Sequence, residues 1–326
     1  MRRQAITVIT DKHHATLSLL RFLSCRFTYL GENQWHEQIT TARVLLNQKP
    51  AQPETRLHLG DVVAFLCHDL PEPPAALSYQ IIHEDPDLLV VNKPATLPCH
   101  PRGRYFHHTL WALLKKNRDD RYFSFVNRID RETSGIVLIA KNKNAAKNCQ
   151  QQFINQQVEK QYLAVVKGRF PHRISCQGYL VNDSRSSIRH KVRFLDSAVD
   201  RESKAGGRQV RTDFHRLRHA GGFSLIAARP HSGRRHQIRA TLAAINFPLL
   251  GDKVYASDEG LFFRFIEDRL TETDWNYLGI SRQALHASRL SIRHPVGGRE
   301  LSFHAPLPAE LERLLEKTLT PPFTGF

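Results

Sequence analysis

The stretch FVNRIDRETSG, residues 125–135, gathers Arg128, Asp130, Arg131 and Glu132 between apolar residues and closes on Thr-Ser-Gly. A charge withdrawn from water is costly unless a partner meets it. The apolar run GIVLIA follows at once. Asp130 therefore stands at the edge of a core strand, a place where a carboxylate can be held rigidly at a cleft. A lone Asp in a loop is ordinarily a turn or cap residue, so its company decides. EKQYLAVVKG, residues 159–168, puts Tyr162 near the start of a further strand. RPHSGRRHQIRATL, residues 229–242, places Arg235 and Arg239 four apart, which on a helix is one face. Two like charges there are costly unless they face solvent or RNA or meet a carboxylate such as Asp130. A carboxylate beside a cation stays ionised, and it suits general-base or covalent work. Taken alone, a tyrosine there is a packed aromatic more often than a catalyst.

The elements that must position these residues are bounded by composition. The chain has 326 residues, with hydrophobic content of 41%. That is enough for more than one domain and a real core. Apolar runs such as DLLVV are too short to span a bilayer, and MRRQAITVITDKHH lacks the apolar core of a secretory signal. Cys25, Cys67, Cys99, Cys149 and Cys176 are scattered, with no C-x-x-C pair. This argues against a zinc cluster or disulfide framework and suits reduced thiols in the cytoplasm. Lys+Arg is 47 against 31 for Asp+Glu, a net +16. Such an excess fits a polyanionic partner. Arg-rich stretches with aromatics, RGRYFHH around Arg104 and RYFSFVNR around Arg128, suit phosphate and base contacts.

LPEPPAALS, residues 70–78, reads as a linker, because its prolines favour extended backbone. The expected organisation is residues 1–70 as a small α/β domain, a Pro-rich linker over 71–78, and a larger domain over 79–326. In the first domain, residues 16–27 and 32–44 have helical patterning, followed by strands around a Gly-Asp turn. In the second, strands are expected at DLLVVNKP, GIVLIAKN, QYLAVVKG and FSLIAARP. Helices are expected over 144–157, with Asn144 as N-cap, and over 232–245, with Ser232 near its start. NDSRSSIRH and SKAGGRQ read as exposed loops. His215 and His219 have helical spacing but lie between strand-like runs without a third ligand, so no metal site is expected there. Gly206-Gly207 lacks the strand and helix that a phosphate-cradling loop needs.

In order, HEDPDLLVVNKPATLPCHP, NRIDRETSG, KQYLAVVKG, SGRRHQIRATLAAINFPLLGDKVYA and RQALHASRLSIRHPVGGRELSFHAPLP resemble the pseudouridine synthases of the RluA type. The resemblance covers residues 81 to 308. ARVLLNQKP and LHLGDVVAF resemble the small RNA-binding domain named for ribosomal small-subunit protein four, with Ala42 and Gln48 where that family has glycine. The resemblance implies an α+β fold with a mixed, largely antiparallel central sheet and flanking helices. It implies an isomerase acting on uridines in structured RNA, ribosomal or transfer, by base flipping. It makes Asp130 the essential aspartate, Tyr162 the tyrosine that packs on the target base, and Arg239 the cation that pairs with Asp130. Arg128 takes the space of the flipped-out nucleotide, and Arg235, His236, Lys160 and Arg104 are expected to contact RNA. No cofactor, metal, membrane or obligate protein partner is implied. Asn127 stands where the family motif begins with histidine, and it is expected to alter how the loop is held or which RNA is accepted. A non-catalytic RNA-binding or assembly factor of the same fold, and a DNA-binding protein, are the competing readings.

Overall fold

The computed structural model describes residues 4–27, 29–66, 72–120, 122–189, 191–197 and 206–316. Cys67, residues 70–71 of the expected linker, Arg121, His190 and residues 203–205 of the glycine loop lie outside them. The chain divides into two compact units. The first comprises Met1–Pro73 with Ser186–Arg189 and Asp258–Leu270, and the second takes the rest. Sequence reading had put both later segments in the 79–326 domain. Neither has a composition that marks it off, and only packing assigns them.

The first unit has a four-stranded sheet. Strands β1 (Gln4–Val8), β2 (Val44–Leu46), β3 (Lys49–Pro50) and β4 (Val62–Leu66) lie in the order β1-β4-β2-β3. Helix α1 (Leu19–Arg26) starts where Ser18 accepts the amide of Arg21, and it buries Leu19, Phe22 and Leu23 at helical spacing. Helix α2 (Glu32–Thr40) buries Trp35, whose indole lies 5.0 Å from the Phe65 ring and donates to the carbonyl of Phe27. The β2–β3 turn uses Asn47 and Gln48 at φ 50° and 68°, and Ala42 is also left-handed at 54°. Positions where glycine would be free are thus held by residues with a Cβ, at about 1–2 kcal/mol each. Asn47 repays part of this, because its amide bonds Asp61 and accepts from the Val62 amide.

The second unit is built on an eleven-stranded sheet. Its strands are β5 (Gln80–Glu84), β6 (Leu88–Lys93), β7 (Ser124–Phe125), β8 (Ser134–Ala140), β9 (Glu159–Lys167), β10 (Arg173–Asn182), β11 (Val192–Asp196), β12 (Arg208–Ala220), β13 (Phe223–Pro230), β14 (Leu285–Arg293) and β15 (Glu300–His304). The main path is β11-β10-β12-β13-β9-β14-β8-β6-β5, with β15 on β14 and β7 on β8. Every described pairing is antiparallel except β14 with β8. The expected mixed, largely antiparallel α+β class is therefore found. The helices are α3 (Leu110–Asn117), α4 (Lys143–Ile154), α5 (Gln237–Ala244), α6 (Gly260–Ile266, in the first unit), α7 (Glu272–Leu278) and α8 (Ala309–Glu316). Among the described residues no helix is long and apolar enough to cross a membrane.

Two helix starts differ from expectation. Helix α4 is capped by Asn142, which accepts the Ala145 amide, rather than by Asn144. Strand β8 ends at Ala140, so the first asparagine after it takes the cap. Helix α5 begins at Gln237, not near Ser232, because His236 sits left-handed at φ 55° and breaks the helix there. Arg235 and Arg239 consequently do not share a helical face.

Candidate active site

Strand β8 is buried along its whole length and carries the Asp130 loop at its head. Its parallel partner among the described residues, β14, meets it at Ser134 and Gly135. Gly135 is required here: its φ is 110°, and a Cβ would lie 2.2 Å from the Ala287 carbonyl oxygen. Asn127 braces the other side of the loop. Its amide donates to the Ile136 carbonyl and accepts from the Leu138 amide at 2.7 Å. The residue in the histidine position of the motif is thus a strut between the loop and β8.

More pins fix the loop. The Lys93 ammonium, fully buried, donates to the carbonyls of Pro94, Leu97 and Arg131. Burial pushes its pKa down to about 7. Glu132 accepts from Lys253 at 2.9 Å and from the Gln283 amide at 3.1 Å. The Thr133 amide donates to the Asp130 carbonyl, and the Thr133 hydroxyl takes the Gln283 side chain at 2.6 Å.

Helix α5 brings Arg239 to this loop. Its Nη1 donates to Oδ2 of Asp130 at 2.7 Å. Its Nε and Nη2 form a bidentate pair with Asp252 at 2.7 and 2.8 Å. Asp252 is itself capped by the amides of Val254 and Tyr255. The Tyr255 ring lies 5.2 Å from the guanidinium carbon. His236, at the break before α5, bonds the Tyr255 hydroxyl at 3.2 Å and lies 3.9 Å from Asp130.

The electrostatics follow from these contacts. Burial alone would raise the Asp130 carboxyl, but the Arg239 guanidinium overrides it and holds it at about 2. His236 is pushed down to about 4, by burial first and by Arg239 second, so it is neutral near pH 7. Tyr162 is raised to about 12 by burial and the Asp130 charge, so its phenol keeps its proton. Tyr162 stands mid-sheet, opposite Ala228 on β13 and Ala287 on β14.

Sequence reading made Asp130, Tyr162 and Arg239 the reacting group and His236 an RNA contact; the structure puts Arg239 and His236 beside Asp130, with Tyr162 on β9 between β13 and β14. Arg128 and Arg235 are exposed and Arg104 half-buried, on loops of the same unit. Lys160 is placed differently from a free RNA contact: its ammonium donates to the Ser232 carbonyl at 3.1 Å and lies over the Phe153 ring, and burial lowers it to about 8. It braces the loop before α5. Asp252 and Tyr255 were missed, although both lie in the quoted GDKVYA. The signal was the arginine itself, since a guanidinium has more donors than one exposed carboxylate can accept. Away from the site, Asp85, Asp87 and His294 lie close enough to hold a cation. The Asp85 oxygens, however, already accept two backbone amides and face two imidazole nitrogens.

A central sheet of this topology is the pseudouridine synthase fold. A solved structure, human RNA pseudouridylate synthase domain containing 1, shares it with a TM-score of 0.55 at 24% identity, over 77% of this chain and 99% of that one. Sequence comparison carries this further. The family model for RNA pseudouridylate synthase matches residues 87–244. An uncharacterized RNA pseudouridine synthase of Chlorobaculum parvum is 32% identical over 97% of this chain and 98% of its own length. Ribosomal large subunit pseudouridine synthase C of Vibrio cholerae is 28% identical over 97% and 98%. The chain belongs to the RluA-type family of RNA pseudouridine synthases. It is thus an isomerase that converts uridine to pseudouridine in RNA.

Proposed function

We propose that this enzyme isomerises selected uridines in structured ribosomal or transfer RNA, with Asp130 as the reacting carboxylate and the target nucleotide flipped out of its stack. The reaction breaks the bond from ribose C1′ to uracil N1, turns the ring and joins C1′ to C5. The proton on C5 is lost and N1 gains one, so the change is isoelectronic. The observation that carries the reading is the asymmetric hold on Asp130. Arg239 takes one oxygen at 2.7 Å, while the side chain keeps 34% of its exposure. It is ionised, oriented and reachable. Tyr162 supplies a ring to stack on the uracil, and its retained proton keeps it from competing as a base. Arg128 fills the gap that the nucleotide leaves. Arg235, Arg104 and His236 meet the RNA, and the Lys160 contribution runs through the loop it braces.

The first unit serves as an RNA-binding module in this reading, and no further protein is required. The enzyme works in the cytoplasm. Support for this comes from Cys25, Cys99, Cys149 and Cys176, which are all unpaired. The test is a pseudouridine map. Total unmodified RNA is incubated with wild type or Asp130→Asn, labelled chemically and sequenced. Sites made by wild type alone are expected, and they name the RNA. A blank map from wild type that still binds RNA would leave a binding factor in place of an enzyme.

A further inference from the structure

We infer that the face of the large sheet turned away from Tyr162 is a second RNA-docking surface. On it Arg173, Arg229 and Arg289 hold backbone phosphates of a helical arm other than the one that offers the target nucleotide. The inference rests on the RNA isomerase reading above and adds to it a second place of contact.

The strand register separates the two faces. Side chains directly opposite one another lie on one face, and neighbours along a strand lie on opposite faces. Phe214, Ala228, Tyr162 and Ala287 stand opposite one another across β12, β13, β9 and β14. Phe214 and Ala228 share a core with Ile238 and Ala240 of α5, the helix that carries Arg239, so this row lies on the face of the site. One residue along β12, β13 and β9 the direction reverses. There Ser175 stands opposite Asp213, and Asp213 opposite Arg229. Arg229 donates to the Gln161 amide oxygen at 3.4 Å. Gln161 stands opposite Arg289, and Arg289 opposite His304. This second row crosses β10, β12, β13, β9, β14 and β15, and at about 4.8 Å per strand it runs for about 24 Å. Arg173, two residues before Ser175 and opposite His215, lies on the same face.

The apolar end of that face is closed, because Leu163 and Leu225 pack with Leu311 and Leu315 of α8. The rest is open. Arg173, Ser175, Arg229, Arg289 and His304 are exposed. Asp213 is the acid in the row, and the protein already matches it. It accepts from the Ser175 hydroxyl at 2.6 Å and from Arg211 at 3.2 Å, and its other oxygen lies 2.6 Å from the His231 imidazole. Glu159 and Glu300 lie beyond the row, opposite Ser291 and Arg293. Arg289 donates to the Ser302 hydroxyl at 3.1 Å, a neutral partner like Gln161. Among the described residues no carboxylate pairs with Arg173, Arg229 or Arg289. Successive members of the three lie two strands apart, about 10–12 Å. His215 stands between Arg173 and the β13 strand, with its ring 4.9 Å from that of His172. Its pKa is lowered by desolvation first and then by Arg173, His172 and Arg229.

The side chains say which anion fits. Planar guanidinium forks suit phosphate oxygens. Ser175, Gln161 and Ser302 suit phosphate and ribose hydroxyls. The row has no Phe, Tyr or Trp on which unpaired bases could stack. Such a strip fits an RNA helix held by its backbone, without sequence preference. The target nucleotide enters from the other face, so the two contacts belong to separate arms of one structured RNA.

The test is binding against salt for the full chain, with two probes. One is a hairpin that carries a mapped site, and the other is the intact RNA from which it comes. Bulk unmodified ribosomal RNA replaces both if the map is blank. One phosphate contact contributes about 0.7–0.9 to the slope of log affinity against log salt. Arg173→Gln, Arg229→Gln and Arg289→Gln should each lower the slope on intact RNA by about that amount, and the triple variant by about 2 or more. Between about 50 and 200 mM salt the triple variant should then lose about 20-fold less affinity than wild type. Its slope on the hairpin, and its rate on saturating hairpin, should match wild type. The three Arg→Lys changes should keep the wild-type slope and so exclude misfolding as the cause. An unchanged slope on intact RNA would overturn the docking surface and leave this face to a protein partner. An equal loss on hairpin and intact RNA would also overturn it, because the contact would then lie at the target arm. A blank pseudouridine map with the slope losses present on bulk RNA would remove the isomerase reading and leave the docking surface.

Discussion

Asp130 and Asp252 meet the same guanidinium in different ways. Asp252 is 1% exposed, takes two N–H groups from Arg239 and accepts two backbone amides. Its two oxygens accept four hydrogen bonds, three on Oδ1 and one on Oδ2. Asp130 is 34% exposed and takes one N–H group from Arg239. Burial of an ion pair is expensive unless further hydrogen bonds satisfy it. Asp252 has those bonds, so Arg239 stays fixed and charged. That fixed cation then depresses the pKa of the second carboxylate while leaving it open. One aspartate positions the guanidinium, and the other, in the proposed function, is the one that reacts.

Breaking the inner pair should have the largest effect on stability. Asp252→Ala leaves a buried guanidinium half-satisfied and should cost about 3–5 kcal/mol, read from denaturant midpoints. Asp130→Ala, at the exposed end, should cost under about 1 kcal/mol. Equal losses would erase the distinction between the two. Gly135→Ala should follow, on the order of 3 kcal/mol, since left-handed backbone and a clash with the Ala287 carbonyl coincide.

A pH profile sharpens the comparison from the other side. The Asp130 carboxyl is held at about 2, below its ordinary 3.8. Its contribution to stability is therefore fully present above the ordinary value and is lost as pH falls through about 2. His236 sits at about 4. The ratio kcat/KM should thus show no acid limb between about pH 5 and 8. A limb near pH 6.5 would mean that a histidine with an unshifted pKa governs the reaction. A smaller loss than at Gly135 is expected at the loop's strut. Asn127→Ala removes two bonds to β8 and should cost about 1–2 kcal/mol by thermal or denaturant unfolding.

The parts of this site that were legible in the sequence had a local cause. GIVLIA is a continuous apolar run and became the wholly buried β8, with Asp130 at its head. Charge alone left Arg239 facing solvent, RNA or a carboxylate, and the motif resemblance pointed to Asp130. The parts that were not legible depend on tertiary choices. His236 is left-handed with no glycine to announce it, so the start of α5 and the direction of Arg235 were misplaced. Either Asn142 or Asn144 can cap a helix, and the end of β8 decided between them. Asp252 lies thirteen residues past Arg239 in a turn, a separation that no helical or strand period links. In the first unit the β2–β3 turn formed with Asn47 and Gln48 and no glycine, because the Asn47 amide and the surrounding core hold it.

The division of labour between the two carboxylates is tested most directly by tritium release from C5 of uridine-labelled RNA under single-turnover conditions. Asp130→Asn and Asp252→Asn would be measured side by side, after both are shown to be folded and to bind RNA. The account predicts release at background for Asp130→Asn, a loss of about a thousandfold or more, and slowed but measurable release for Asp252→Asn. Release by Asp130→Asn at the wild-type rate would contradict it.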